Sequence, residues 1–198
     1  MLHSKKATLI LILFPVFALC AGSATASMMP LVMLNISPMA QNHAAGDAFT
    51  ADVIVSGLEY IDLASFNIDV IYDPAVIAFH GYDLGNALGH VDGMDANDRS
   101  LGGSISGKVN IAERSNLCDF SDQASAFSLV TLSFTGLAQG ITMLSIENTF
   151  LDDIDGNAID VLASVSGYVQ ISSVPAPAAV WLFVTGLASL IAAKRFRR

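Results

Sequence analysis

The sequence predicts an all-β domain, and three observations lead to this prediction. Short segments alternate apolar and polar residues with a period of two, as half-buried strands do. Gly, Asp, Asn and Pro residues, which favour turns, separate these segments at short intervals. No stretch with the periodicity of an amphipathic helix lies between the two ends of the chain. Many short strands with regular turns are typical of a β-sandwich or a β-barrel.

The clearest alternation lies in Ser65–Tyr72, where every second residue is apolar and Ile71 alone interrupts the polar face. Phe49–Val55 follows the same pattern. In a strand these residues share one face, so each segment should bury one side against a core. Seven more segments have the composition of strands: Leu31–Ile36, Ile77–Leu84, Lys108–Ala112, Phe127–Phe134, Ile141–Ile146, Ala158–Leu162 and Ser166–Ile171.

The longest segment without strand periodicity is Gly85–Ser106, which contains five glycines. A loop of this length in a compact domain is usually functional or mobile. Its aspartates Asp92, Asp95 and Asp98 are a weak candidate for a cation site, because carboxylate oxygens suit hard cations.

The N-terminus has the features of a secretory signal. Two lysines precede an apolar run that ends at Ala21, and a small-x-small pattern follows at Ala24 and Ala26. We expect signal peptidase to cleave before Ser27, so that residues 1–26 form a signal whose apolar part is helical. The alternative of an uncleaved membrane anchor is weaker, because the apolar core is short.

Cys20 raises the further alternative of a lipoprotein, but Leu19 stands where lipidation needs a small residue. Cys118 is the other cysteine, so removal of the signal leaves it without an intrachain partner. The domain should therefore be stabilised by its core, and an idle or half-buried thiol is a better interpretation of Cys118 than a nucleophile.

The C-terminus has an apolar stretch, residues 178–193, followed by a basic end. As a helix it would span about 24 Å, which is short for a hydrocarbon core of about 30 Å. Side chains that extend to the interface can make up the difference. We expect a transmembrane helix whose basic end stays cytoplasmic, rather than a buried core helix. The basic residues are Lys194, Arg195, Arg197 and Arg198.

Charge is distributed very unevenly along the chain. All eighteen acidic residues lie between Asp47 and Asp160, where the only basic residues are Arg99, Lys108 and Arg114. This interval therefore carries a net charge of −15. Such a surface repels nucleic acid and anionic lipid, so nucleic-acid binding is excluded as a function.

The central part of the chain, residues 27–173, contains the element Tyr72-Asp73-Pro74 followed by an aliphatic strand. With this element as the most specific feature, the central part resembles cohesin modules. This resemblance implies a nine-stranded jelly-roll β-sandwich that binds a dockerin-like protein, or that belongs to a carbohydrate-associated surface assembly, through an open sheet face. The family has no fixed motif for its contacts, so no residue roles carry over. The matching segments are Gly46–Leu58, Phe66–Ile77, Leu129–Gly140, Phe150–Gly156 and Gly167–Ile171.

The tail, residues 174–198, resembles the PEP-CTERM sorting signal, with a Val-Pro-x-Pro motif before a short apolar helix and an arginine-rich end. The segment Ala179–Phe183 is similar to one variant of that signal, although Ala176 replaces the usual Glu. The resemblance implies processing by an exosortase at the inner membrane, then a place on the cell surface or in a biofilm matrix. The motif residues are Val174, Pro175, Ala176 and Pro177.

The sequence contains none of the common catalytic motifs, such as Gly-x-Ser-x-Gly, His-Glu-x-x-His or a phosphate-binding glycine loop. His43, His80 and His90 are too scattered to suggest a zinc site. We therefore expect no enzymatic activity and no cofactor.

Calcium is the one metal that the sequence raises as a candidate, in an acidic turn after residue 152. Leu151 and Leu162 occupy positions where an EF-hand needs ligands, so this is not an EF-hand. The favoured interpretation is an Asp-Gly hairpin turn with its acids in water. The candidate ligands are Asp153, Asp155, Asn157 and Asp160, within a cluster that also includes Asp152.

Three functions remain after these exclusions. The favoured one is a non-catalytic surface or matrix module that binds a dockerin-like protein or a polysaccharide. The others are a secreted hydrolase that uses carboxylates in an unrecognised arrangement, and a purely structural matrix protein. Paired carboxylates in a cleft would favour the hydrolase, whereas a flat sheet face with aromatic or hydroxyl residues would favour binding.

Overall fold

The computed structural model describes residues 31–104 and 106–173, together with Phe183, Thr185 and Gly186, which are helical. The predicted signal and its cleavage site, the sorting motif 174–177, most of the predicted transmembrane helix and the basic end all lie outside the described residues. Within the described residues, no helix has the length and hydrophobicity needed to cross a membrane.

The described residues form twelve strands. Nine of them correspond to the nine segments predicted from the sequence, although β11 begins and ends three residues later than expected. The three additional strands, β2, β6 and β7, are short. The strands are β1 Val32–Ser37, β2 Ala40–Ala44, β3 Ala48–Ser56, β4 Ser65–Ile71, β5 Ile77–Leu84, β6 Ala96–Asp98, β7 Gly102–Ser104, β8 Lys108–Ser115, β9 Ala126–Gly136, β10 Gly140–Asp152, β11 Val161–Val165 and β12 Gly167–Ser172.

These strands form two sheets. One has five strands in the order β11-β1-β3-β9-β5, and the other has the order β2-β12-β10-β4-β8-β6, with β7 also paired to β8. Most pairs are antiparallel, but β1 with β11 and β2 with β12 are parallel. The prediction of an all-β sandwich is confirmed.

The core lies between the two sheets and is built from the alternating apolar positions of their strands. In β4, Phe66, Ile68 and Val70 are buried, as the alternation predicts. From the other sheet, Phe134 on β9 is at the centre of an aromatic group with Phe49, Tyr72 and Phe79. One contiguous core of this kind holds the domain together without a disulfide.

The segment Gly85–Ser106 is more ordered than its composition predicts. Both β6 and β7 lie in it and pair with the free edge of β8, and Leu88 within it is fully buried. The side chain of Gln123 anchors its beginning, because Nε2 donates to the carbonyl oxygens of Leu63 and Ala87. The expectation of an irregular loop was wrong for this part, since pairing to an exposed strand edge depends on tertiary structure.

Gly107 closes the turn that leads into β8. Its φ of +79° is in the left-handed region, and a Cβ atom there would overlap the carbonyl oxygen of Tyr72. The amide of Tyr72 in turn donates to the Gly107 carbonyl at 2.8 Å. Only glycine satisfies both requirements, so this residue fixes the Tyr-Asp-Pro turn against the start of β8.

Candidate functional site

The candidate site is the outward face of the seven-stranded sheet over β10, β4 and β8. Directly paired residues present their side chains on the same face, so the register defines rows of outward side chains. One row contains Asn110 and Asp69, and the next row contains Ala112, Asn67 and Phe150. These rows form a surface on which carboxylate, amide and aromatic groups lie side by side.

Asp69 is at the centre of a polar network on this face. Its carboxylate forms an ion pair with the Nζ of Lys108 at 2.6 Å, and accepts from the side-chain amides of Asn110 at 2.8 Å and Asn148 at 2.6 Å. The Asn110 amide also donates to Asn67 at 2.8 Å. Although Asp69 points outward, this cover leaves it only 4% exposed.

The electrostatics of this network favour a charged Asp69. Burial alone would raise the pKa of its carboxyl, but hydrogen bonds from Lys108, Asn148 and Asn110 outweigh burial and lower the pKa below its ordinary value. Asn148 reaches the carboxylate from an irregularity in β10 between Glu147 and Phe150, where its own φ is +46°. Such bulges re-aim side chains, and this one completes the network.

An apolar patch borders the network on the side of β10 and β12. Met143 and Tyr168 are directly paired across these strands, and they are 62% and 46% exposed. Ile141, two residues before Met143, is also exposed. Exposed apolar side chains next to a polar network are typical of a binding surface.

At the other end of the same face, a groove of about 240 Å³ lies above Ala112 and is lined by Arg99, Arg114, Asn67 and Phe150. A second groove of about 580 Å³ extends from it toward the turn after β10, and the two share Arg99 and Arg114. Phe150 is 69% exposed.

The outward face of the five-stranded sheet has a different composition. Its central rows pair Thr50 with Ser133 and Asp52 with Thr131, and the Thr131 hydroxyl donates to Asp52 at 2.6 Å. These rows combine small hydroxyls with the carboxylates of Asp52 and Asp83, and among the described residues no exposed Phe, Tyr or Trp borders them.

A second buried carboxylate, Glu113, lies on the inner side of β8. It is 2% exposed, and its Oε1 has no hydrogen-bond partner within the described part of the chain. Burial and the negative charge of Asp98, which is paired with it across β6 and β8, raise the pKa of Glu113 to about 7. Asp98 accepts from the hydroxyl of Tyr82 at 2.8 Å. Glu113 is enclosed in the core, whereas Asp98 is exposed and lines a groove, so the two carboxylates do not face one cleft as the pair of a hydrolase would.

The candidate calcium residues lie in and just after the turn that follows β10. One of the acids, Asp153, is hydrogen-bonded within the turn. Asp153 accepts from the backbone amide of Asn157 at 2.7 Å and from its side-chain amide at 2.9 Å, and these bonds lower the pKa of Asp153. Asp155 and Asp160 are exposed. The described residues contain no group of three or more His, Cys, Asp or Glu side chains arranged around a common point. Calcium binding by this turn stays the untested alternative to the favoured interpretation, a hairpin turn with its acids in water.

The remaining predicted candidates are dispersed. His43 stacks on Phe49 with ring centroids 4.4 Å apart, and His90 lines a groove with Asp92 and Asp98 that does not include Asp95. The Cys118 thiol is free and exposed.

The chain matches no protein-family model, and no curated protein matches it either. Solved structures of cohesin domains match residues over more than two thirds of the chain. The fold is that of cohesin domains. The OlpA cohesin of Clostridium thermocellum, solved in a cohesin–dockerin complex, has 13% identity and a TM-score of 0.59, and the match covers 72% of this chain and 99% of that one.

Two further structures show the cohesin fold outside that complex. The solution structure of CaCohA2 from Clostridium acetobutylicum has 16% identity and a TM-score of 0.57, with 72% of this chain and 91% of that one covered. A non-cellulosomal cohesin from the archaeon Archaeoglobus fulgidus has 16% identity and a TM-score of 0.55, with 72% and 92% covered.

Sequence reasoning did not find the residues of the candidate face. The alternation in β4 placed Asn67 and Asp69 on the side opposite the core, but a polar residue on an outward face usually contacts only water. Lys108, Asn110 and Asn148 come from other strands, and no spacing in the sequence connects them to Asp69. The one feature of the sequence that could have indicated this network was Lys108, an isolated lysine in a strongly acidic interval.

Proposed function

We propose that this protein is a non-catalytic interaction module that binds an exported, dockerin-like protein through the outward face of the seven-stranded sheet. The observation that carries the proposal is the combination on that face of the Asp69 network with the exposed pair Met143 and Tyr168. Pre-formed hydrogen-bonding groups fix how a partner aligns on such an interface, and exposed apolar side chains supply the area that becomes buried on binding.

Three features support a protein partner over the other functions. Met143 and Tyr168 lie at the end of the face away from the two grooves, and exposed apolar side chains on a sheet suit a protein surface better than a small substrate. Two carboxylates of the larger groove, Asp152 and Asp153, accept hydrogen bonds from Ser65 and Asn157, and the lowered pKa of Asp153 is opposite to the shift that the general acid of a hydrolase needs. The structures that share the fold include a cohesin in complex with a dockerin. The partner should offer a basic or neutral surface, because the interval from Asp47 to Asp160 carries a charge of −15.

The test compares matched lysine substitutions on the two outward faces. The exported protein and its variants Met143→Lys and Thr50→Lys are immobilised and exposed to the other exported proteins of the producing cell. A captured protein is purified and titrated at low and high salt. Both variants change the net charge equally, so long-range attraction is matched. We expect Met143→Lys to weaken binding by about tenfold or more, as loss of a central apolar contact does, and Thr50→Lys to change it by less than about twofold.

Two results would contradict the proposal. Weaker binding by Thr50→Lys, with Met143→Lys unaffected, would move the interface to the five-stranded sheet. Capture of no exported protein at either salt concentration would remove the binding function and leave a purely structural matrix protein. An apparent affinity that falls as salt is added is the expected signature of charge complementarity.

We further propose that the module is exported and sorted by its chain ends. Signal peptidase would release Ser27 as the N-terminus. The C-terminal helix would hold the protein at the inner membrane until an exosortase acts near Pro177 and transfers it to the cell surface or matrix. Mass spectrometry of the surface form should find peptides that begin at Ser27 and none from Trp181 onward. Recovery of Arg198 in that fraction would indicate a permanent anchor instead.

A further inference from the structure

We infer that the groove above Ala112 binds a sugar that carries a single carboxylate, such as a uronic acid unit of a matrix polysaccharide. The site lies at the opposite end of the face from Met143 and does not depend on the proposed protein interface. Its argument starts from the two arginines, Arg99 and Arg114.

These arginines are unusual because the domain offers them many acidic partners. Between Asp47 and Asp160 there are three basic and eighteen acidic residues. Lys108 is paired with Asp69, whereas neither guanidinium group forms an ion pair or a side-chain hydrogen bond with any described residue. Both are exposed and line the same two grooves. A pair of unneutralised guanidinium groups in one groove is suited to a carboxylate, which guanidinium binds through two parallel hydrogen bonds.

The strand register explains why both arginines line the same groove. Arg114 is on the outward side of β8, directly paired with Ser65 of β4. Arg99 follows β6, and its backbone amide donates to the carbonyl of Ala112 at 2.8 Å. The small side chain of Ala112 lies between Arg99 on one side and Asn67, its partner on β4, on the other. Because Ala112 has only a methyl group, it forms the floor of the groove.

The other groups around the groove favour a sugar. Phe150 is paired with Asn67 on the next strand, so its exposed ring forms a wall beside the floor. The apolar C–H face of a pyranose packs on such a ring, whose π-face is electron-rich. Asn67, Asn116 and Ser65 can exchange hydrogen bonds with hydroxyl groups. The larger groove, about 580 Å³, is within the range of small-ligand sites, roughly 300 to 1,000 Å³.

The acidic groups on the rim exclude ligands with dense negative charge. Asp152, Asp153 and Asp155 line the larger groove beside the arginines. Asp152 accepts from the Ser65 hydroxyl at 3.0 Å, and Asp153 is bonded to Asn157. Their charges, within a domain of net charge −15, repel an acidic peptide or a phosphate-rich chain. They can still accept hydrogen bonds from neutral hydroxyls, so a single carboxylate surrounded by hydroxyls fits best.

The experiment measures binding of four probes to the exported protein by ligand-observed NMR: methyl glucuronoside, methyl glucoside, acetate and a glutamate-rich peptide. We expect the glucuronoside to bind at least about tenfold more tightly than any other probe, since none of the others offers both the carboxylate and the ring. The variants Arg99→Gln and Arg114→Gln should each weaken glucuronoside binding by about tenfold. Ala112→Leu should block it while both arginines remain.

Two controls separate this site from general charge and from the protein interface. Gln170→Glu lowers the net charge by the same unit as an arginine-to-glutamine change, but on the exposed face of β12, and should leave glucuronoside binding unchanged. Met143→Lys should also leave it unchanged. Equal binding of acetate would reduce the site to a general anion site, tighter binding of a glutamate-rich peptide would make it a peptide site, and absence of glucuronoside binding would remove it. Each of these results overturns the inference.

Discussion

The two sheets of the sandwich differ in the side chains that they bury. The described residues include four buried polar or charged side chains, Gln41, Asp69, Glu113 and Thr142. They lie on β2, β4, β8 and β10, and all of these strands belong to the seven-stranded sheet. The five-stranded sheet buries apolar side chains only. Burial of a charged or polar group costs stability unless it is fully paired, so the two sheets differ in how much electrostatic cost they carry.

This difference follows the location of the proposed interface. The face that carries the Asp69 network and the exposed apolar pair belongs to the sheet with the buried charges. The five-stranded sheet, with its small hydroxyl groups and its continuous apolar inner side, supplies stability. Proteins commonly accept local destabilisation at functional sites and compensate for it elsewhere. Three carboxylates test whether that division holds here. Glu113 and Asp69 lie on the seven-stranded sheet, and Asp52 lies on the five-stranded sheet.

The largest effect is expected for Glu113→Gln. Because the pKa of Glu113 in the folded protein is raised from 4.5 to about 7, the folded state holds this proton more tightly than the unfolded chain. Stability should therefore fall as pH rises through that interval. Glutamine cannot ionise, so at about pH 8 the variant should be more stable than the wild type, by at most about 3 kcal/mol. Near pH 4 the two should agree.

Urea denaturation at both pH values measures this difference. Glu147→Gln removes the same charge from an exposed position on β10 and is the control. If the free energy of unfolding had the same pH dependence in Glu113→Gln and in the wild type, Glu113 would not be the source of the stability lost as pH rises.

A smaller effect, of opposite sign, is expected for Asp69→Ala. The substitution leaves Lys108 without its ion-pair partner and removes the acceptor for Asn110 and Asn148. Lys108 is 44% exposed and can regain water, so we expect a loss of about 2 kcal/mol at neutral pH. Because the pKa of Asp69 is lowered, its contribution is present at neutral pH and is lost in acid below its ordinary pKa. The difference from the wild type should therefore shrink in acid.

The smallest effect is expected for Asp52→Ala on the five-stranded sheet. Asp52 also lies on the outward face of its sheet, but among the described residues its side chain accepts one hydrogen bond, from the hydroxyl of Thr131 at 2.6 Å. Loss of one partly exposed hydrogen bond should cost less than about 1 kcal/mol. Thermal unfolding of Asp52→Ala and Asp69→Ala side by side gives the comparison. Equal losses in the two variants would mean that the two sheets do not differ in the way their burial indicates.

Parts of the fold were predictable because their cause is local. The alternation of apolar and polar residues in β4 predicts that Phe66, Ile68 and Val70 are buried, and similar alternation predicts the buried faces of β3 and β9. By contrast, β6 and β7 are three residues long, too short for any period, and they exist because the edge of β8 offers free hydrogen-bonding groups. The order of the strands in each sheet also depends on contacts far apart in sequence.

The amino-acid sequence alone predicts the all-β class, the acidic central interval, a core that needs no intrachain disulfide, and the chemical character of the two ends. These properties follow from composition and short-range periodicity. Tertiary structure decided the rest. Lys108, Asn110 and Asn148 contact Asp69, and Arg99 and Arg114 line one groove above Ala112, only because the strand register sets the rows of outward side chains. Register is fixed by packing across the whole sandwich, and no local pattern in a strand encodes which residue lies beside it on the next.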